Sequence, residues 1–123
     1  MTTNIELNNI VNKLSFKNKF LGCVMRDEIK NIKCENNCWL IVNLNSVDKN
    51  DSGHWQLLWK KDNQNIFFCS FGSHIFNEAK EFLGSNILCT NFRIQEWGSS
   101  ICGELAILVA YLLDNNFKFE DII

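Results

Sequence analysis

Cys102 to Leu113 reads CGELAILVAYLL, an almost unbroken apolar run of helix-forming residues. A helix that is apolar nearly all round has no face to give to water, so other elements must wrap it on most sides. This segment is therefore expected to be the centre of the fold. Its first residue is a cysteine. A thiol at a helix N-terminus meets unpaired backbone N–H groups and the positive end of the helix dipole, both of which favour the thiolate.

Sheet strands are the expected wrapping. Cys38 to Asn45 (CWLIVNLN), Trp55 to Trp59 (WQLLW) and Ile66 to Phe71 are short runs rich in aromatic and β-branched residues, and Cys89 to Ile94 is a further one. Between the first two runs lies SVDKNDSG, Ser46 to Gly53, a cluster of turn formers that reads as a surface loop delivering His54 to a sheet edge. Ile5 to Phe20 has partial helical spacing and is expected to form a first helix. His74 to Leu83 puts Ile75, Phe76, Ala79, Phe82 and Leu83 on one stripe, with Gly84 as the stop. A loop, Glu96 to Ser100, leads into Cys102. The expected architecture is α+β, with the cysteine-bearing helix packed on a mostly antiparallel sheet.

The chain of 123 residues is read as one domain, 1–123, without repeat or linker. Its apolar fraction of 46% and charged fraction of 21% are those of a packed globular protein. A net charge of −2, with the only basic cluster (Lys13 to Lys19) diluted by Phe and Asn, argues against a strong electrostatic grip on nucleic acid. No apolar stretch reaches the roughly 18 residues of a membrane span, and Met1 to Leu7 does not read as a secretory signal. An intracellular protein is expected, and its six cysteines are expected to be thiols. Cys34 and Cys38 form a close pair with no matching second pair. Neither a metal nor another cofactor is expected.

Several short segments together carry a family resemblance. QEWGSSICG, Gln95 to Gly103, resembles the nucleophile segment of the adenovirus maturation protease and of the SUMO-deconjugating proteases, in which a Gln precedes the catalytic Cys by seven positions and a Gly follows it. GHW at Gly53 to Trp55 looks like the catalytic His with its neighbouring aromatic residue. VMRDEI near Val24 and IVNLN at Ile41 to Asn45 resemble segments of adenovirus-like proteases encoded by Polinton-type mobile elements and related viruses. The similarity extends over roughly Gly22 to Leu113 and implies a papain-like cysteine protease core, on a chain shorter than the usual catalytic domain. It departs at one place: where the family carries Asp-Ser-Phe-Gly, with the Asp orienting the histidine, this chain has Cys69, Ser70, Phe71 and Gly72.

The residue chemistry matches what the resemblance implies. A cysteine hydrolase needs a thiolate, an imidazole that moves protons and donors for the oxyanion. Cys102 would attack the scissile carbonyl, His54 would act as base and then acid, and the Gln95 amide with the Cys102 N–H would hold the oxyanion, with Gly103 leaving space beside it. Cys69 stands at the position of the triad acid; Ser70, Asp51 or a water could orient the ring instead. Trp55 and Trp97 would narrow a cleft for an extended peptide with Gly near the cut. The implied substrate is a viral precursor or a ubiquitin-like conjugate, met inside a host cell or a virion. The alternative is a relative that binds a protein partner without cutting it.

Overall fold

The computed structural model describes residues 3–44, 54–62, 64–90, 93 and 101–122. The central feature is a five-stranded sheet in the order β1-β2-β3-β4-β5, formed by Lys19–Met25, Cys38–Asn43, Trp55–Lys61, Gln64–Phe68 and Ile87–Cys89. β2 runs antiparallel to β3 and β3 to β4, while the outer pairs, β1 with β2 and β4 with β5, are parallel. The α+β class holds, but the sheet is mixed, not mostly antiparallel. β3 and β4 are joined by residues 62 and 63 alone, since Lys61 and Gln64 are partners, and Asp62 takes a left-handed φ of 51° at this turn.

Both faces of the sheet are covered, which is why the central strands read as continuous apolar runs instead of alternating ones. Side chains alternate between two cores. Trp39, Ile41, Trp55, Leu57, Trp59, Ile66 and Phe68 pack with α3 (Cys102–Asp114), with Leu7 and Val11 of α1 (Asn4–Lys13) and with Phe119 at the start of α4 (Phe119–Ile122). Leu40, Val42, Leu58 and Phe67 pack instead with Ile29 of the 3₁₀ helix Arg26–Asn31 and with Ala79 and Leu83 of α2 (Asn77–Leu83). No helix among the described residues is long and apolar enough to cross a membrane.

α1 is shorter than its spacing suggests. Thr3 caps it by accepting the Glu6 N–H at 3.2 Å, and it ends at Lys13 instead of reaching Phe20. The cause lies far along the chain. Asp114, buried at the C-terminal end of α3, accepts the backbone N–H of Lys17 (2.7 Å) and of Asn18 (3.1 Å) and the Asn18 side-chain amide (2.8 Å). Those amides are therefore taken out of any helix, and Phe16 and Phe20 turn onto Trp39, with ring centroids 4.7 and 4.4 Å away. The segment then continues as β1. β5 ends at Cys89, where the expected strand Cys89 to Ile94 begins; residues 91, 92 and 94 of that run lie outside the described residues.

Cys34 and Cys38 form a disulfide across the turn that enters β2, where Asn37 has a φ of 60°, so the expectation of six thiols is corrected. The turn brings their Cα atoms to 6.7 Å, within reach of a bond. Cys23, Cys69, Cys89 and Cys102 remain free.

Gly103 also has a role that its sequence neighbourhood did not suggest. A Cβ there would lie 2.7 Å from Leu7 Cδ2, so its lack of a side chain lets α3 approach α1 and does not leave open space for a substrate. Gly103→Ala is expected to cost about 1–3 kcal/mol through overpacking, and distinctly less in a Leu7→Ala background, which urea unfolding of the four proteins would measure. Asp114→Ala strands the donors of Lys17 and Asn18 and is expected to cost about 3 kcal/mol, with Asp114→Asn milder because one acceptor oxygen remains. An Asp114→Ala protein as stable as the parent would contradict the clamp.

Candidate active site

His54 stands at the head of β3, where its carbonyl accepts the Leu44 N–H at 3.0 Å and extends the pairing of β2 with β3 by one step. From here the register does the positioning. Leu57 faces Phe68 across β3 and β4, so one step further Gln56 falls opposite Cys69. His54 and Gln56, two apart on an extended chain, share a face and flank that sulfur. The observed contacts follow: His54 Nε2 lies 3.2 Å from Cys69 Sγ, and Gln56 Nε2 lies 3.4 Å from it.

Cys69 to Gly72 then turn the chain back. The Gly72 N–H meets the Cys69 carbonyl at 2.9 Å, with Gly72 at a φ of 69° that favours glycine. This turn lays Phe71 over the imidazole, with centroids 4.4 Å apart and planes 26° from parallel. The Cys69 N–H is held by Thr90 Oγ1 at 2.8 Å, beyond the end of β5.

Cys102 reaches the same imidazole from the other side of the sheet, where it belongs to the core of α3. As the first residue of α3 it accepts the Trp55 N–H at 3.4 Å, and the Gly103 N–H also bonds its sulfur. His54 interacts with this second thiol too. Its Nδ1 is buried without a hydrogen-bond partner among the described residues.

Burial alone would push every one of these groups toward its neutral form, and the contacts among them reverse that. For His54, the Cys102 and Cys69 sulfurs beside the ring, by their proximity and charge, outweigh desolvation and raise its pKa to about 9. For Cys69, hydrogen bonds from His54, Gln56 and the Ser73 N–H, with the charge of His54, overcome burial and lower its pKa to about 6. Cys102 is lowered in the same way, burial being outweighed by His54 and by the Trp55 and Gly103 N–H groups. In contrast, burial pushes Cys23 up to about 12 and raises Cys89. At neutral pH the centre thus holds an imidazolium between two sulfurs, at least one of them ionised. Such a centre is equipped for nucleophilic chemistry with a proton carrier at hand.

The structure brings together Cys102, His54 and Cys69. Gln95, Trp97 and Asp51 lie outside the described residues. Trp55, expected to line a cleft, is only 4% exposed and packs in the core with Cys102, so its contribution to the site is its backbone N–H. Cys102 is itself 1% exposed, less accessible than a nucleophile at a loop end suggested. Gln56 and Thr90 were not singled out from sequence, and Phe71 entered only as part of the Cys69 to Gly72 segment. Gln56 left a signal, as the polar residue inside the apolar run WQLLW. Among the described residues no three His, Cys, Asp or Glu side chains are arranged to hold a metal.

The charges predict a stability profile. A lowered thiol contributes stability that is complete above its ordinary value of 9.0 and lost as pH falls through about 6; the raised imidazole contributes stability that is complete below 6.5 and lost as pH rises through about 9. Between these limits the two contributions change in opposite directions and nearly cancel, so the parent's thermal midpoint is expected to vary little across that window, while its advantage over Cys69→Ala is expected to grow as pH rises from about 6. A difference between the two proteins that does not change with pH would contradict the ion pair.

No protein-family model and no curated protein sequence matches this chain.

Proposed function

We propose that the protein is a cysteine hydrolase that cleaves peptide bonds, with Cys102 as nucleophile and His54 as general base and acid. The observation that carries this reading is the surrounding of the Cys102 sulfur. It sits on the first turn of α3, takes the N–H groups of Trp55 and Gly103 and shares the His54 imidazole, a combination that favours the thiolate.

The steps follow from that charge distribution. The Cys102 thiolate adds to the scissile carbonyl, and the resulting oxyanion needs donors, of which the Cys102 backbone N–H at the helix start is one. His54, present as imidazolium, gives its proton to the leaving amine and the thioester forms. The neutral ring then takes a proton from water, which attacks the thioester and releases the acid, returning the thiolate and imidazolium. The resemblance of QEWGSSICG and GHW to adenovirus-type and SUMO-deconjugating proteases supports a papain-like core, with the Gln95 amide as second oxyanion donor. By the same resemblance the substrate is an extended peptide with Gly near the cut, from a viral precursor or a ubiquitin-like conjugate, inside a host cell or a virion. With Trp55 buried, Trp97 is the remaining aromatic candidate for the cleft wall.

The second reading, a protein-binding relative that does not cut, is favoured by the 1% exposure of Cys102. Two measurements separate them. Limiting iodoacetamide with mass spectrometry is expected to modify Cys102 ahead of the more exposed Cys89, and the Cys102 rate is expected to persist to lower pH because its thiol is lowered while that of Cys89 is raised. A Gly-Gly peptide carrying a thiol-reactive group is expected to label the parent protein and not Cys102→Ala or His54→Ala. Labelling confined to Cys89 would overturn the nucleophile assignment, and absence of probe labelling in a folded parent would favour the binding module.

A further inference from the structure

The sulfur of Cys69 is fully buried and surrounded by donors. The Gln56 amide presents Nε2–H₂ to it at 3.4 Å, and the Ser73 backbone N–H bonds it as well. Neither can accept a proton from it. The remaining neighbour is His54 Nε2 at 3.2 Å, which can be a donor or an acceptor according to tautomer. A thiol giving its S–H to Nε2 would leave the neutral ring's proton on Nδ1, where no acceptor meets it among the described residues, whereas with Nε2–H donating the sulfur accepts three times and every donor is matched. The ring then carries its permanent proton on Nε2, and Nδ1, buried without a partner among the described residues, is the nitrogen whose proton comes and goes.

From this geometry we propose that Cys69 is a positioning residue, its sulfur serving as the standing acceptor for His54 Nε2–H, and that Gln56 is a second positioning residue acting through that sulfur. The cysteine thereby does the work for which a carboxylate is the usual choice: it fixes the tautomer, holds the ring plane and offsets the imidazolium charge. Phe71, stacked on the ring, restricts its remaining motion. Cys102, on the first turn of α3, has the helix-start N–H groups that an oxyanion needs, whereas Cys69 follows a strand and has none, so the positioning role falls to Cys69. Retaining Gln56 in the apolar run of β3 has the same explanation. Its Oε1 is buried without a partner among the described residues, a cost that an apolar side chain would avoid but only at the loss of the donor to Cys69. The catalytic consequence rests on the hydrolase reading above; the assignment of the proton does not.

Nuclear magnetic resonance of protein labelled with ¹⁵N-histidine tests the assignment directly. The chain has two histidines, so exposed His74 is an internal reference for His54. The groups whose charge reaches His54 among the described residues are Cys69 and Cys102. In the parent protein Nε2 is expected to stay protonated at every pH and the imidazolium to persist to about 9. Cys69→Ala is expected to lower that titration by about one unit or more and to mix the tautomers, while Cys69→Asp retains both features. Probe labelling at Cys102 in Cys69→Ala is expected to fall by about tenfold or more, within the roughly 10⁴ lost when a triad acid is removed. Gln56→Met, similar in size and without the donor, is expected to raise the Cys69 titration followed by the ¹³Cβ signal.

If Cys69→Ala does not fold, Cys69→Ser supplies the titration comparison, because its hydroxyl is neutral although it can still accept the Nε2–H. A His54 titration unaltered in Cys69→Ala or Cys69→Ser, or a tautomer unaltered in Cys69→Ala, overturns the proposal even if the protein cleaves peptides, and so does a Cys69 signal indifferent to Gln56→Met. A parent protein with the expected His54 signature but no reaction at Cys102 overturns the hydrolase reading and leaves the role of the sulfur standing.

Discussion

The packing of α3 against one face of the sheet sets both ends of the molecule. Ala106, Ala110 and Leu113 bury the helix against the tryptophan-rich side of β2 and β3, and Gly103 lets Leu7 of α1 close over its first turn. With the helix axis held, its terminal groups have nowhere else to go. Cys102 at one end meets the head of β3 and the His54 ring. Asp114 at the other end collects three donors from Lys17 and Asn18 and so decides where α1 stops. A buried carboxylate at a helix C-terminus is unfavourable by itself, and these donors are what make it tolerable.

The reactive cluster exists because two cores meet at one edge of the sheet. Cys102 belongs to the core on the α3 side and Cys69 to the core on the α2 side, and His54 stands at the head of the strand between them. No single element carries the site. β3 contributes the imidazole, the Gln56 amide and the Trp55 N–H; the turn after β4 contributes Cys69 and Phe71; α3 contributes Cys102. Burial opposes charge on each group, and only their mutual contacts make the ionised state favourable. That dependence makes the cluster cooperative: removing any member weakens the ionised state of the others.

Much of this was legible in the residues. The apolar run from Cys102 read as a buried helix, and the runs at Cys38, Trp55 and Ile66 read as strands. The segments GHW, Cys69 to Gly72 and QEWGSSICG, marked together by their resemblance to protease motifs, hold the three side chains that the fold brings together. Local chemistry suffices for such features because burial, turn residues and helix starts are properties of short segments.

Other features depend on partners distant in sequence, and only the tertiary structure decided them. Residues 14–20 have spacing compatible with a helix, and it is Asp114, 96 residues from Asn18, that takes their amides. β1 and β5 pair in parallel with strands that no hairpin connects to them, so their direction leaves no local pattern. Trp55 and Gly103 looked like parts of a cleft until packing placed one in the core and the other beneath Leu7. The proton on His54 Nε2 is of the same kind, since it depends on the register that puts Gln56 opposite Cys69. A sequence specifies which groups are available; distances between groups far apart on the chain, and hence charge states, are set only when the elements pack.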